Sequence, residues 1–163
     1  MVKRFLLSAA LAAALSPLAL ADELVCPDLT SIAQVNACPT DEELRHTYHG
    51  YCGDDSNAYG KKTDVCVRYE DYRHLKNVAR WESADGRFDG YLSCDLPEAT
   101  WRSEKPTDIL LAMQGKIAKV VCRYPNNITL TYRTRDNCTV ADAKACASDP
   151  AACRATCRPA DGG

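Results

Sequence analysis

The side chains with the most chemical reach in this chain are its ten cysteines: Cys26, Cys38, Cys52, Cys66, Cys94, Cys122, Cys138, Cys146, Cys153 and Cys157. No two are separated by two residues. That spacing excludes the C-x-x-C of a thioredoxin-type redox centre, of c-type haem attachment and of a structural zinc knuckle. An even count behind an export signal leaves no odd thiol for nucleophilic work, so five structural disulfides are expected. His46 and His49 stand at i, i+3, a spacing that places both imidazoles on one helix face. A Zn²⁺ or Cu²⁺ site there needs Asp54, Asp55 or His74 to join them, and there is no H-E-x-x-H pair with a Glu to act as base. Two solvated histidines on a polar helix explain the pattern, and neither a metal nor any other cofactor is expected.

Acid–base types are present as Asp54-Asp55, Glu70-Asp71 and Asp85 with Asp89. The segment Asp85-Gly86-Arg87-Phe88-Asp89-Gly90 lacks the alternating oxygen ligands and distal Glu of a calcium loop. There is no G-x-S-x-G, no S-x-x-K and no phosphate-cradling Gly-rich loop. No catalytic residue is assigned, and the chain reads as a non-enzyme.

Compositional limits agree with this. The chain has 163 residues, 46% hydrophobic and 26% charged, which argues against an extended disordered segment and against a multi-pass membrane protein. A formal net charge of -2 supplies no basic field for a phosphate backbone, so nucleic acid is not an expected partner. Lys3 and Arg4 precede an apolar run that ends in Ala19-Leu20-Ala21, the pattern of a cleaved signal peptide over residues 1–21. The run is too short for a spanning helix, so no stable membrane insertion is expected after cleavage. The Ala-rich leader points to the bacterial periplasm or beyond, where thiols pair. The sequons at Asn127 and Asn137 have meaning only in a eukaryotic secretory pathway.

Residues 22–158 then form one disulfide-rich domain, followed by a disordered tail at 159–163. Thr40 and Glu43 make a capping box for a helix from Asp41 to His49, stopped by Gly50. The polar stretch from Gly50 to Lys62 reads as a surface loop held at its base by Cys52 and Cys66, and Thr63 to Tyr69 as a strand. Asp85-Gly86 joins two strand-like runs, Leu75 to Ser83 and Arg87 to Asp95. In the second run Phe88, Gly90, Leu92 and Cys94 share one face, and Asp89, Tyr91 and Ser93 the other. Thr107-Asp108 caps a short helix through Met113 that Gly115 ends. Ile117–Tyr124 and Ile128–Thr134 form a second hairpin whose inward side includes Val120, Cys122, Tyr124 and Leu130. The tail from Cys138 to Cys157 reads as two short Ala-rich helices folded at Ser148, which pairs Cys146 with Cys153 and Cys138 with Cys157. Local loops give Cys26–Cys38 and Cys52–Cys66, and shared inward parity gives Cys94–Cys122, out of the fifteen pairings that six cysteines allow.

What remains for function is a contact surface. Tyr48, Tyr51, Tyr59, Tyr69, Tyr72, Tyr91, Trp81 and Trp101 are large amphipathic side chains in a chain with only two Phe. Tyr59, Trp81, Tyr91 and Trp101 are the binding candidates. The strand Val120-Val121-Cys122-Arg123-Tyr124, its short turn and the Tyr-bearing return strand resemble the end of small cysteine-containing periplasmic proteins of uncharacterised-domain families. EirA-type accessory proteins of type IV secretion systems are among those it resembles. The resemblance covers residues 75–134, carries over no catalytic residue and implies a protein partner in the cell envelope.

The expected fold is α+β: an antiparallel sheet of about four strands with flanking helices and a disulfide-stapled C-terminal helical hairpin. The expected function is that of a non-catalytic periplasmic accessory or binding protein of an envelope or secretion complex. An inhibitor or immunity protein against a cell-wall hydrolase, acting through the Gly53–Lys62 loop, is one alternative. A hydrolase using Asp85 and Asp89 is another.

Overall fold

A computed structural model of the chain describes residues 21–60, 64–140 and 142–160. The expected signal peptide, apart from Ala21, lies outside the described residues, as do the last three residues of the expected tail. The described chain is mostly β, which overturns the four-strand α+β expectation. Among the described residues nine strands form two antiparallel sheets and the four α-helices are short. In chain order these are β1 (Asp22–Val25), β2 (Ala33–Gln34), α1 (Asp41–Cys52), α2 (Asp55–Ala58), α3 (Tyr69–Lys76), β3 (Val78–Glu82), β4 (Asp89–Ser93) and β5 (Asp108–Gln114). β6 (Ile117–Arg123), β7 (Thr129–Thr134), β8 (Asn137–Val140), α4 (Ala143–Ser148) and β9 (Arg154–Arg158) complete the chain.

The larger sheet has the order β2-β3-β4-β7-β6-β5 and the smaller one β1-β9-β8. Their facing sides share one core. Leu24, Ala155 and Cys157 of the small sheet meet Ala79, Trp81, Leu92, Ile109, Val120 and Leu130 of the large one. Cys26–Cys122 crosses this core, tying the end of β1 to β6. Cys38–Cys94 fastens the start of the helical arm to the end of β4, Cys52–Cys66 closes the arm, and Cys138–Cys157 and Cys146–Cys153 hold the C-terminal segment.

Three expected pairings are present and two are replaced. Cys26–Cys38 and Cys94–Cys122 give way to Cys26–Cys122 and Cys38–Cys94. Both inward cysteines were read correctly, since Cys122 is fully buried and Cys94 packs against the core. Each takes a partner from the N-terminal segment instead of the other hairpin. The expected helix over 107–113 is β5. A continuous apolar run such as Ile-Leu-Leu-Ala-Met carries no period that separates strand from helix, and pairing with β6 along seven positions decides it. Gly115, at φ +59, turns the chain between the two strands where a helix stop was expected.

The C-terminal helical hairpin is corrected too. Cys138 and Cys157 are cross-strand neighbours on β8 and β9, and only α4 and a 3-10 turn at Pro150–Ala152 remain helical. β9 lies between β8 and β1, so its state depends on a strand far upstream, in pairs such as Leu24↔Ala155, 131 residues apart. The expected strand from Thr63 to Tyr69 is a 3-10 turn at Asp64–Cys66 that leads into α3; Thr63 itself lies outside the described residues. Glu70 and Asp71 in the first turn of α3 and Arg73, His74 and Lys76 in the last complement its dipole. The capping box of α1 is formed as expected, but the helix runs through Gly50 to Cys52. The loop after it contains α2, capped by Asp54.

Among the described residues no helix is long and apolar enough to cross a membrane. Five disulfides fit a chain that folds in an oxidising compartment, periplasmic or extracellular.

Candidate docking face

Strand alternation sends one set of side chains from β3–β7 into the core and the other set outward, away from the small sheet. On β3 the inward set is Ala79 and Trp81, and the outward set includes Arg80 and Glu82. On β4 Leu92 is inward, and Asp89 and Tyr91 are outward. Register sets their neighbours: Arg80 lies opposite Tyr91, and Glu82 opposite Asp89. Two carboxylates directly across a strand pair repel. Arg80 relieves this by donating to both, at 2.7 Å to Glu82 and 3.1 Å to Asp89. Arg133 on β7 donates to the other Asp89 oxygen at 2.5 Å.

Beyond β7 the same surface changes character. Val121 of β6 pairs with Leu110 of β5 and Thr131 of β7, all half-buried. Lys119 lies opposite Arg133, and among the described residues no carboxylate stands within ion-pair distance of the Lys119 ammonium. The outward face thus runs from a cross-braced ion ladder to a small apolar step with an unneutralised cation between them. β4 can lie against β7 here because position 90 is glycine: a Cβ would collide with the Thr129 carbonyl oxygen.

The four binding candidates part company. Tyr91 projects from this face and is 65% exposed, and Tyr59 is 86% exposed on the helical arm just after α2. Trp81 and Trp101 are corrected: at 6% and 1% exposure they are core residues. Trp81 shares β3 with Arg80 and Glu82, but its parity turns it to the opposite side of the sheet. Reading Asp89 and Tyr91 as outward in the sequence placed them properly. The contributions of Arg80, Arg133 and Lys119 were missed, although the same alternation carries them.

The carboxylate pairs occupy separate ion-pair and capping settings. The Ser83 hydroxyl and the Arg87 guanidinium donate to Asp85 and hold its carboxyl down at about 2. Asp71 is lowered by Arg68, and Asp95 by Arg73 and Asn77. Asp54 caps α2 through the Ser56 N–H. Among the described residues no three His, Cys, Asp or Glu side chains converge as a metal site; the His49 ring lies beside Tyr48 on α1.

A groove lies between the helical arm and β3. It is an open groove of about 480 Å³ bordered by Cys38, Pro39, Leu44, Tyr51, Tyr72 and Lys76, where the Lys76 ammonium sits 5.6 Å from the Tyr51 ring centre. Its polar side chains are spent on local structure, with Glu43 serving the α1 capping box and Thr47 bonding back into its helix. No protein-family model, curated protein or solved structure matches this chain.

Proposed function

We propose that this chain is a non-catalytic accessory or binding protein that docks onto a protein partner of the cell envelope through the outer face of its large sheet. One observation carries the reading. Tyr91 stands well exposed on β4, directly opposite Arg80 and beside the Asp89–Arg133 pair, on the side of the sheet that the core does not use. An aromatic anchor among ordered charges costs little entropy to immobilise and gives orientation to a contact. The cation at Lys119 and the donors of Arg80 and Arg133 favour a partner surface that offers carboxylates. Disulfide density supports an oxidising location, and the resemblance of residues 75–134 to small periplasmic accessory proteins supports an envelope or secretion complex as the setting. A photo-crosslinking residue at position 91 in living cells should give a discrete adduct that is missing when the residue is placed at exposed Glu42. Absence of any adduct from position 91 in cells making the protein at natural levels would contradict the reading.

A second reading rests on the helical arm. Of the expected Gly53–Lys62 loop, Lys61 and Lys62 lie outside the described residues; the described part, 53–60, follows Cys52 of the Cys52–Cys66 bridge and presents Tyr59, an arrangement suited to plugging an enzyme cleft. Here the partner is a cell-wall hydrolase. Inhibition of a lysozyme or amidase that is lost with Tyr59→Ala, and kept with Tyr91→Ala, would favour the arm over the sheet.

A further inference from the structure

The segment from Ile109 to Arg135 carries five cations and no carboxylate, in a chain whose formal net charge is -2. Two of the five are met from outside the segment, Arg123 by Asp108 and Arg133 by Asp89. Lys116, Lys119 and Arg135 form no ion pair with any described residue, and Asp136, which follows Arg135, forms none either. The fold gathers these three cations. Lys116 sits in the turn between β5 and β6, and Arg135 comes one residue past β7, the neighbour of β6. Both border one open hollow of about 760 Å³, together with Gln114, Ile117 and Ala160. Lys119 is the next outward residue along β6 from Ile117 and lies opposite Arg133.

Apolar side chains reach the same end of the sheet. Met113 and Ile117 are 63% and 39% exposed and stand beside the turn, Met113 opposite Ala118 and Ile117 opposite Gln114. Ala118 is buried, so Met113 lies on the core side of the sheet and Ile117 on the outer side. The turn thus has apolar surface on both flanks and cations on it and behind it. This differs from the ladder around Asp89, where Arg80 and Arg133 are braced by a fixed carboxylate. Unbraced cations on long stems aim at no single acceptor. They suit a surface whose negative charges are many and laterally mobile, while Met113 and Ile117 gain by leaving water.

We infer that the β5–β6 turn is a membrane-docking tip: it seats on an anionic phospholipid surface, with Met113 and Ile117 entering the interface and Lys116, Lys119 and Arg135 facing the headgroup phosphates. Charge and polarity together select this occupant. A soluble anion would use the cations alone and leave Met113 in water. A neutral bilayer would use the apolar pair alone, which is too little buried area to hold a protein. Near an anionic membrane each cation raises partitioning about fivefold, so three of them with the apolar pair give a reversible peripheral contact. The negative charge of the rest of the chain opposes adsorption elsewhere, which presents the molecule turn first. The contact needs neither the Tyr91 face nor a protein partner.

The test is co-sedimentation of the oxidised protein, recovered after export, with vesicles of about equal parts phosphatidylglycerol and phosphatidylcholine. The wild type should partition to these vesicles and ignore pure phosphatidylcholine. Salt at about 1 M, where the Debye length is about 3 Å, should release it. Lys116→Gln and Arg135→Gln should each lower partitioning about fivefold, and the triple variant with Lys119→Gln about a hundredfold, all with unchanged far-ultraviolet circular dichroism. Lys76→Gln, on α3, should change nothing. Met113→Trp should shift its emission to the blue on the anionic vesicles, over a constant background from buried Trp81 and Trp101, and Glu42→Trp on α1 should not. A wild type that stays in the supernatant with anionic vesicles at low salt overturns the inference, even if inorganic phosphate or an acidic protein binds the cations. So does partitioning that the triple variant keeps, or a Met113→Trp emission that does not move. Tyr91→Ala should keep full vesicle binding, so failure of partner docking and failure of this contact are read separately.

Discussion

Trp81 and Trp101 meet edge to face, ring centres 5.2 Å apart with planes at 85°, and the Arg102 guanidinium lies 5.5 Å from each ring. Trp81 comes from β3, Trp101 from the connection to β5, and Arg102 also reaches back to the Leu29 and Ile32 carbonyls. This cluster therefore joins three parts of the chain. Trp101→Ala should cost about 3–5 kcal/mol, as expected when a fully buried aromatic leaves a cavity. Tyr91→Ala, on the outer face, should stay within about 0.5 kcal/mol. Urea unfolding of the oxidised variants measures both, and equal losses would contradict the division between core and contact aromatics.

The disulfides should differ in weight. Cys26 and Cys122 are 96 residues apart and Cys52 and Cys66 are 14 apart. On chain entropy alone the first closes a loop worth about 4.7 kcal/mol and the second about 3 kcal/mol. Replacing Cys26 and Cys122 together by Ala should lower the midpoint of the whole transition, because that bridge joins the sheets. Removing Cys52–Cys66 should mainly speed amide exchange in α2 and the Asp64–Cys66 turn, while β6 and β7 keep their protection.

Acid should weaken the β3–β4 turn in a defined window. Hydrogen bonds from Ser83 and Arg87 lower Asp85 from 3.8 to about 2, so its contribution is complete above the ordinary carboxylate range and is lost as pH falls toward 2. The Asp85 side chain is 50% exposed, and solvent screening limits the contribution to about 1 kcal/mol or less. Asp85→Asn should lower the melting temperature slightly at neutral pH and flatten its decline between about pH 4 and pH 2. A decline as steep as that of the wild type would assign the acid loss to other carboxylates, Asp28 being the next candidate through its bond to Lys105.

Tyr124 donates its hydroxyl to the Pro27 carbonyl at 2.6 Å, and burial raises its pKa well above the usual phenol range. Tyr124→Phe keeps the ring but leaves that acceptor without its donor, so a loss of about 1–2 kcal/mol is expected in chemical unfolding. The phenol should also resist ionisation in a spectrophotometric titration until the protein unfolds.

Where the sequence was legible, the signal was local. The Thr40–Glu43 capping box, the Asp85-Gly86 turn and the alternation of β4, β6 and β7 involve neighbours within a few residues, and all appear as expected. Cys138–Cys157 was also anticipated, though from the wrong elements. A chain that doubles back near Ser148 brings those two cysteines together whether its arms are helices or strands. On the outer face of the large sheet, parity gave Tyr91 and Asp89 their outward direction, and the same rule applied to β3 would have turned Trp81 inward beforehand.

Composition and spacing by themselves determined that all ten cysteines would be paired, that the hairpins would alternate and that no common catalytic or metal motif is encoded. Tertiary structure alone decided that Ile109–Met113 is a strand, that β9 is one as well, and that Cys26 reaches Cys122. The reason is physical. A short apolar or Ala-rich segment is close to balance between helix and strand, and a disulfide partner among several cysteines is undetermined by local geometry. Both are resolved only when a distant segment arrives with free hydrogen-bonding groups and a surface to bury.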